Sequence, residues 1–311
     1  MVDGMRTATD PGADAPVSPP PATPAPGARR ASLSPSRAAD FMQCPLLYRF
    51  RVVDRLPEAP SAAAVRGTVV HAVLERLFDL PPEQRTAPAA RGMVAAQWEA
   101  LREREPDVAA LFPDGDPAPL QEWLLSAEAL LERYFQLEDP RRLEPAGREV
   151  RVEALLDDGL VLRGIVDRLD VAPSGDLRVV DYKTGKAPSQ LFEAKALFQM
   201  RFYALVLWRL KGVVPRQLQL VYLGSGDVLR YTPDEAELLA TERKVKALWA
   251  AIERATAAGD WRPSPGKLCK WCDHQVRCPA FGGTPPPLPE GAVPLPVEPV
   301  APAAPDDVRP G

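Results

Sequence analysis

Two stretches decide the fold of this chain: Leu162-Arg163-Gly164-Ile165-Val166-Asp167-Arg168-Leu169-Asp170-Val171 and Leu177-Arg178-Val179-Val180-Asp181-Tyr182-Lys183. Both have the length and β-branched density of strands, and Pro173-Ser174-Gly175 separates them. Side chains alternate along a strand, so Asp181 and Lys183 share one face and Tyr182 takes the other. A three-residue loop puts Pro173 at the first turn position and Gly175 where φ is positive. That register pairs Ala172 with Asp176, and therefore Asp167 with Asp181, on one face. A two-residue loop would set Asp167 against Tyr182, because a slip of one residue turns every side chain over. The three-residue form is the expectation.

Two carboxylates facing each other across about 5 Å repel unless something positive lies between them. A divalent cation answers this, since hard carboxylate oxygens suit Mg²⁺ or Mn²⁺. Lys183, one pleat along, is then placed to hold a water or a developing anionic oxygen. The plain alternative is a surface hairpin with solvated acids. Against it, Ile165, Val166, Val179 and Val180 make both strands look buried on two faces, where unpaired acids are expensive.

The four cysteines fall as Cys44-Pro45 near the front and Cys269-Lys270-Trp271-Cys272 with Cys278-Pro279 near the back. This spacing suits metal or cluster ligation, and Cys44 completes a set of four. Zinc held by four thiolates and an iron–sulfur cluster both fit it, and ordinary buried cysteines are the bland reading. Two disulfides would need an oxidising compartment. Met1 to Gly27 has no charged start followed by an apolar core, so a cytoplasmic protein is expected. His274, inside the same segment, reads as a surface residue, since four sulfurs suffice.

Seventeen of the 37 prolines fall within Pro11–Pro26 and Pro285–Pro310. Residues 1–31 and 283–311 therefore read as disordered Pro/Ala-rich tails around one domain over 32–282. Within it, a helix opens at Ser34-Pro35, a stronger one covers Ser61–Leu80, and a helical insertion occupies about 81–140, with helices at Pro88–Arg104 and Pro117–Leu137. The period then turns strand-like through Arg148–Leu156, Val161–Val171 and Leu177–Lys183. A helix at Phe192–Lys211, a strand at Gln217–Leu223, a helix at Pro233–Ala258 and a Cys-rich segment over 260–281 follow. The fold class is α/β: a mixed central sheet flanked by helices. No apolar run approaches the ~20 residues of a membrane span. A net charge of −4 argues against coating nucleic acid by charge alone. Arg148, Arg151, Arg163, Arg168, Lys183, Lys186 and Lys195 do gather in the strand-rich stretch. His71, with Glu75 one turn on, reads as a core histidine or a metal ligand, and Gln199 and Tyr203 as one face of a helix.

Taken in order, Gly67-Thr68-Val69-Val70-His71, Gly164-Ile165-Val166-Asp167-Arg168-Leu169-Asp170, Asp181-Tyr182-Lys183-Thr184-Gly185, Gln199-Met200-Arg201-Phe202-Tyr203 and the cysteine quartet resemble the RecB-type branch of the PD-(D/E)XK nucleases. The resemblance covers roughly residues 33 to 281 and implies a restriction-endonuclease-like core with an N-terminal helical region and a C-terminal cluster-binding segment. It implies that His71, Asp167, Asp181 and the carbonyl of Tyr182 hold Mg²⁺ or Mn²⁺. Lys183 would orient the attacking water or stabilise the transition state, with Gln199 and Tyr203 lining the site. It further implies a 4Fe–4S cluster on Cys44, Cys269, Cys272 and Cys278, in preference to zinc. The activity expected is a DNA exonuclease acting on single-stranded or unwound ends in repair, with DNA and a helicase or other repair or CRISPR protein as partners. A non-catalytic DNA-end-binding or scaffold subunit is the alternative. The sequence has no Gly-x-x-x-x-Gly-Lys loop, so unwinding would come from elsewhere.

Overall fold

The computed structural model describes residues 31–113, 115–187 and 190–289. The expected tails lie outside these residues, apart from residue 31 and 283–289. The latter pack on the body: Arg49 donates to the Pro286 carbonyl, and Leu288 lies against the core.

The chain opens with a short strand, β1 (Ser32–Leu33), then α1 (Pro35–Gln43), α2 (Pro45–Tyr48) and a π-helical turn over Arg49–Val53. Helices α3 (Ala62–Leu77), α4 (Ala87–Arg104) and α5 (Ala118–Leu137) follow. Next come β2 (Gly147–Leu155), β3 (Val161–Val171), β4 (Leu177–Lys183), α6 (Gln190–Lys211), β5 (Gln217–Tyr222), β6 (Asp227–Tyr231) and α7 (Glu235–Ala258). Ser34 caps α1 as its sequence suggests, its hydroxyl accepting the Arg37 N–H. Asp234 and Glu237 form a reciprocal cap at the start of α7, which ends at Gly259 in the left-handed conformation.

The sheet is mixed, as expected. Its order is β1-β3-β4-β5-β6, with β2 on the other edge of β3; β1–β3 and β4–β5 are parallel and the rest antiparallel. Alternation along β4 and β5 divides the core in two. Leu177, Val179, Leu218, Leu220 and Tyr222 pack with α1, α6 and α7. Val180, Tyr182, Val221 and Leu223 pack with α3, α4 and α5. Helices therefore cover both faces.

The β3–β4 turn takes the three-residue form. The Ala172 N–H donates to the Asp176 carbonyl, and Gly175 sits at φ 86, which only glycine adopts freely. The strand ladder runs from Val171↔Leu177 to Arg168↔Val180. One step further, Asp167 faces Asp181.

Beneath the sheet, Arg168 is 1% exposed. It bonds both oxygens of Glu138, at 2.8 and 3.0 Å, reaches Asp170 at 3.1 Å and donates to the Tyr182 hydroxyl. Gln219 on β5 also donates to Glu138, at 2.8 Å. This buried guanidinium thus ties the end of α5 to β3, β4 and β5. Removing one partner of such a group strands the others without solvent, at a cost of about 3–5 kcal/mol. Arg168→Ala should lower unfolding free energy by that order in urea titrations; a loss under about 1 kcal/mol would show that the network is not holding the sheet together.

Candidate active site

Past Arg168–Val180, strands β3 and β4 no longer bond backbone to backbone. The Tyr182 N–H is taken instead by the Asp167 carboxylate, Oδ2 accepting at 2.7 Å. At this parting, side chains from both helical layers meet. His71 arrives from α3 with Nε2 3.0 Å from the Tyr182 carbonyl oxygen, as a protonated Nε2 donating to it, and Nδ1 3.5 Å from Asp167 Oδ2. Gln199 arrives from α6 on the opposite face: its Nε2 donates to Asp181 Oδ1 at 3.1 Å and lies 3.1 Å from the Tyr203 hydroxyl. Lys183 donates to Gln199 Oε1 at 3.0 Å, and its ammonium is 2.7 Å from Asp181 Oδ2.

Local sequence explains the fit. Gly164 has no Cβ, and one built there would come within 2.6 Å of the Tyr203 ring. A glycine at this point of β3 is what lets α6 approach close enough to deliver Tyr203 and Gln199. The four-residue spacing of Gln199 and Tyr203 puts them on one helical face, where they bond to each other.

The electrostatics are those of a site short of positive charge. Burial raises the Asp167 carboxyl to about 7, with Asp181 opposite adding to the shift, while His71, the Tyr182 N–H and Lys183 oppose it. Burial works against charge on His71, yet Glu149, Asp167 and Asp181 outweigh it and raise the imidazole to about 9. Asp181 is buried, and its Oδ2 accepts no directed hydrogen bond despite the nearby ammonium.

Of the side chains expected at the site, His71 meets Asp167 and the Tyr182 carbonyl, while Asp181, Lys183, Gln199 and Tyr203 are joined in a second set of contacts. Among the described residues, the set with ligand atoms all within 4.8 Å of one another is His71, Glu149 and Asp167. Glu149 did not emerge from the sequence. Its signal was there in the register, since Arg148↔Arg168 and Val150↔Val166 flank a Glu149–Asp167 pair. Imidazole nitrogen with carboxylate oxygens, beside a buried carboxylate oxygen left without a directed bond, suits a hard divalent cation.

The basic stretch does not form a free cationic groove throughout. Arg168 is spent inside the core, and Arg148 donates to the Glu75 carbonyl and Asp79. His274, expected on the surface, is buried. Its Nε2 is hydrogen-bonded to Glu58 Oε1 at 2.9 Å, and it meets the Phe50 ring edge-on.

The four cysteines are free thiols, half-buried. Burial raises the Cys272 thiol, a backbone hydrogen bond from His274 opposes this, and Cys269, Cys44 and Cys278 add to the rise. Backbone N–H groups of Ser264 and Gly266 point at the sulfurs of Cys44 and Cys269. Among the described residues no three of these sulfurs lie within 4.8 Å of one another.

Residues 32–279 match the family model described as the PD-(D/E)XK nuclease superfamily. The chain is 26% identical over 279 residues to Gene 69 protein of Mycobacterium phage D29, covering 80% of this chain and 96% of that protein. It is 25% identical over 292 residues to Gene 69 protein of Mycobacterium phage L5, with the same coverage. The crystal structure of SSO0001 aligns at 19% identity over 70% of this chain and 95% of that one, with a TM-score of 0.31, too low to bear on the fold.

The two raised groups set the pH behaviour of the metal-free protein. His71 contributes stability that is complete below about 6.5 and lost as pH rises through about 9. Asp167 ionises near 3.8 when unfolded and near 7 when folded, so it penalises the fold increasingly across that interval and fully above it. Asp167→Asn keeps an oxygen for the Tyr182 N–H and removes the charge. Without metal it should therefore be more stable than wild type at pH 8, on the order of 2 kcal/mol, with the gain gone near pH 4. Equal stability at pH 8 in chelator-treated melts would show that Asp167 is not electrostatically strained.

Proposed function

The chain belongs to the PD-(D/E)XK nuclease superfamily, and from that premise we propose a Mg²⁺- or Mn²⁺-dependent DNA exonuclease of the RecB-type branch. Its substrates would be single-stranded or unwound DNA ends in repair or recombination. The observation that carries the reading is the convergence of His71, Asp167 and Asp181 beside the Lys183 ammonium.

His71, Asp167, Asp181 and the Tyr182 carbonyl would hold the cation. When bound, a divalent ion lowers the pKa of a water and neutralises charge on the phosphate oxygens. The rest falls to the chain's own residues. Lys183, partly exposed, presents a fixed positive charge where negative charge develops on the scissile phosphate. Gln199 holds that ammonium through its oxygen and Asp181 through its nitrogen, so one amide sets the spacing of cation and acid. The Tyr203 hydroxyl fixes the amide in turn. Unwinding would be supplied by a partner helicase.

The cysteine quartet would hold a 4Fe–4S cluster. A single tetrahedral zinc requires sulfurs about 3.8 Å apart, from Zn–S bonds of about 2.3 Å. The choice of iron–sulfur over zinc rests on the resemblance to the RecB-type branch, and the N–H groups aimed at Cys44 and Cys269 suit thiolate ligands. Its role would be to tie the α1–α2 corner to the C-terminal segment, so that ligation energy becomes folding energy.

Asp181→Ala and Lys183→Ala should each lose at least a hundredfold in Mn²⁺-supported digestion of end-labelled single strands, with unchanged circular dichroism. Retained cleavage by either purified variant would refute the catalytic assignment. Wild type that binds DNA ends yet never cuts them would instead support the scaffold reading. Anaerobically purified wild type should be brown, and Cys278→Ser should lose that colour and melt earlier. A colourless wild type carrying zinc would overturn the cluster.

A further inference from the structure

We propose that Glu149 is a ligand of the divalent cation, an inference that rests on the nuclease reading and adds to it a third carboxylate delivered by β2. The reason lies in the backbone of that strand. Glu149 has φ 47; Arg55 is the other non-glycine residue with positive φ among those described. A glutamate held in the left-handed region strains the chain, and such strain persists where the surroundings enforce it.

The enforcement is visible on both sides. Arg148 reaches away to the C-terminal end of α3, donating to the Glu75 carbonyl and to Asp79 at 2.8 Å. Val150 folds back so far that a Cβ on Gly147 would sit 2.4 Å from its Cγ2. Between these anchors the kinked backbone gives Glu149 its place in the narrow cleft shared by His71, Asp167 and Tyr182. Its Oε1 lies 3.9 Å from His71 Nδ1, and its ligand atom is within 4.8 Å of those of both His71 and Asp167.

The same helix thus fixes two things: α3 carries His71 and also grips Arg148, which sets the position of Glu149. Nearby, Asp181 keeps a buried oxygen without a directed hydrogen bond. In the metal-free chain Lys183 pairs with Asp181, His71 is the positive neighbour of Glu149 and Asp167, and a divalent ion would satisfy those two carboxylates where one imidazole cannot.

The test is Mn²⁺ binding to the full chain, measured by calorimetry with no DNA present. Glu149→Gln preserves size and backbone strain and removes the charge. Glu149→Gly removes the carboxylate and releases the strain. Both should bind Mn²⁺ at least tenfold more weakly than wild type, and the glycine variant should resist urea better than the glutamine variant in metal-free buffer. The glycine variant also guards against misfolding of the other. Mn²⁺ affinity within twofold of wild type in either folded variant overturns the assignment of Glu149 and leaves the nuclease reading intact. A wild type that takes up no Mn²⁺ removes the cation site, and both readings fall together.

Discussion

The site depends on how Tyr182 is fastened. Its side chain is buried on one face of the sheet, with the hydroxyl on Arg168 and the ring against Tyr134. Its N–H is held by Asp167, and its carbonyl faces His71. On the far edge β5 pairs with β4 through Tyr182↔Val221. One residue therefore links the apolar layer, the strand ladder and both charged walls of the cleft. With its neighbours Asp181 and Lys183 alternating to the opposite face, fixing Tyr182 also fixes the direction in which the acid and the ammonium point.

Much of this was legible in the sequence because it is set by short-range rules. The bounds of β3 and β4 follow from their apolar runs, and the Pro173–Gly175 turn set a register that carries directly to Asp167 and Asp181. The family motifs added His71, Gln199 and Tyr203, which come from helices distant in sequence. What escaped was decided by tertiary contacts. The strand β1 has two residues and no period to read. The edge strand β6, Asp227–Tyr231, alternates too weakly to stand out from a loop. Glu149 sits at a kink imposed by Arg148 and Val150, which no local propensity announces. His274 looked like a surface residue because it lies in a polar, cysteine-rich stretch, yet Glu58 and Phe50, more than 200 residues earlier, bury it.

The charge arrangement shows a fold kept below its own stability optimum. Asp167 and Asp181 face each other, burial penalises charge on Asp167, and the chain offsets this with His71, Lys183 and the Tyr182 N–H rather than replacing an acid. The layer beneath has the opposite character. There Arg168 is matched by Glu138 and Asp170 at close range, so its charge is compensated by side chains alone. Two polar clusters on either side of one sheet are therefore built to different ends. The inner one is closed and complete, and the outer one is left with acid oxygens in excess.

The contrast extends to the clasp between the two ends of the domain. Tyr48 stacks on Trp261 at 5.9 Å, Phe41 meets both rings edge-on, and Glu58 pairs with His274. Arg49 reaches the Pro286 carbonyl. These contacts hold the C-terminal segment to the α1–α2 corner, together with the Ser264 N–H on the Cys44 sulfur. Apolar burial and polar pairing thus set the position of the segment. A ligand bound there would lock an arrangement that packing has chosen. Because α1 also packs on α6, the helix that carries Gln199, the clasp and the acid site are joined through one shared element.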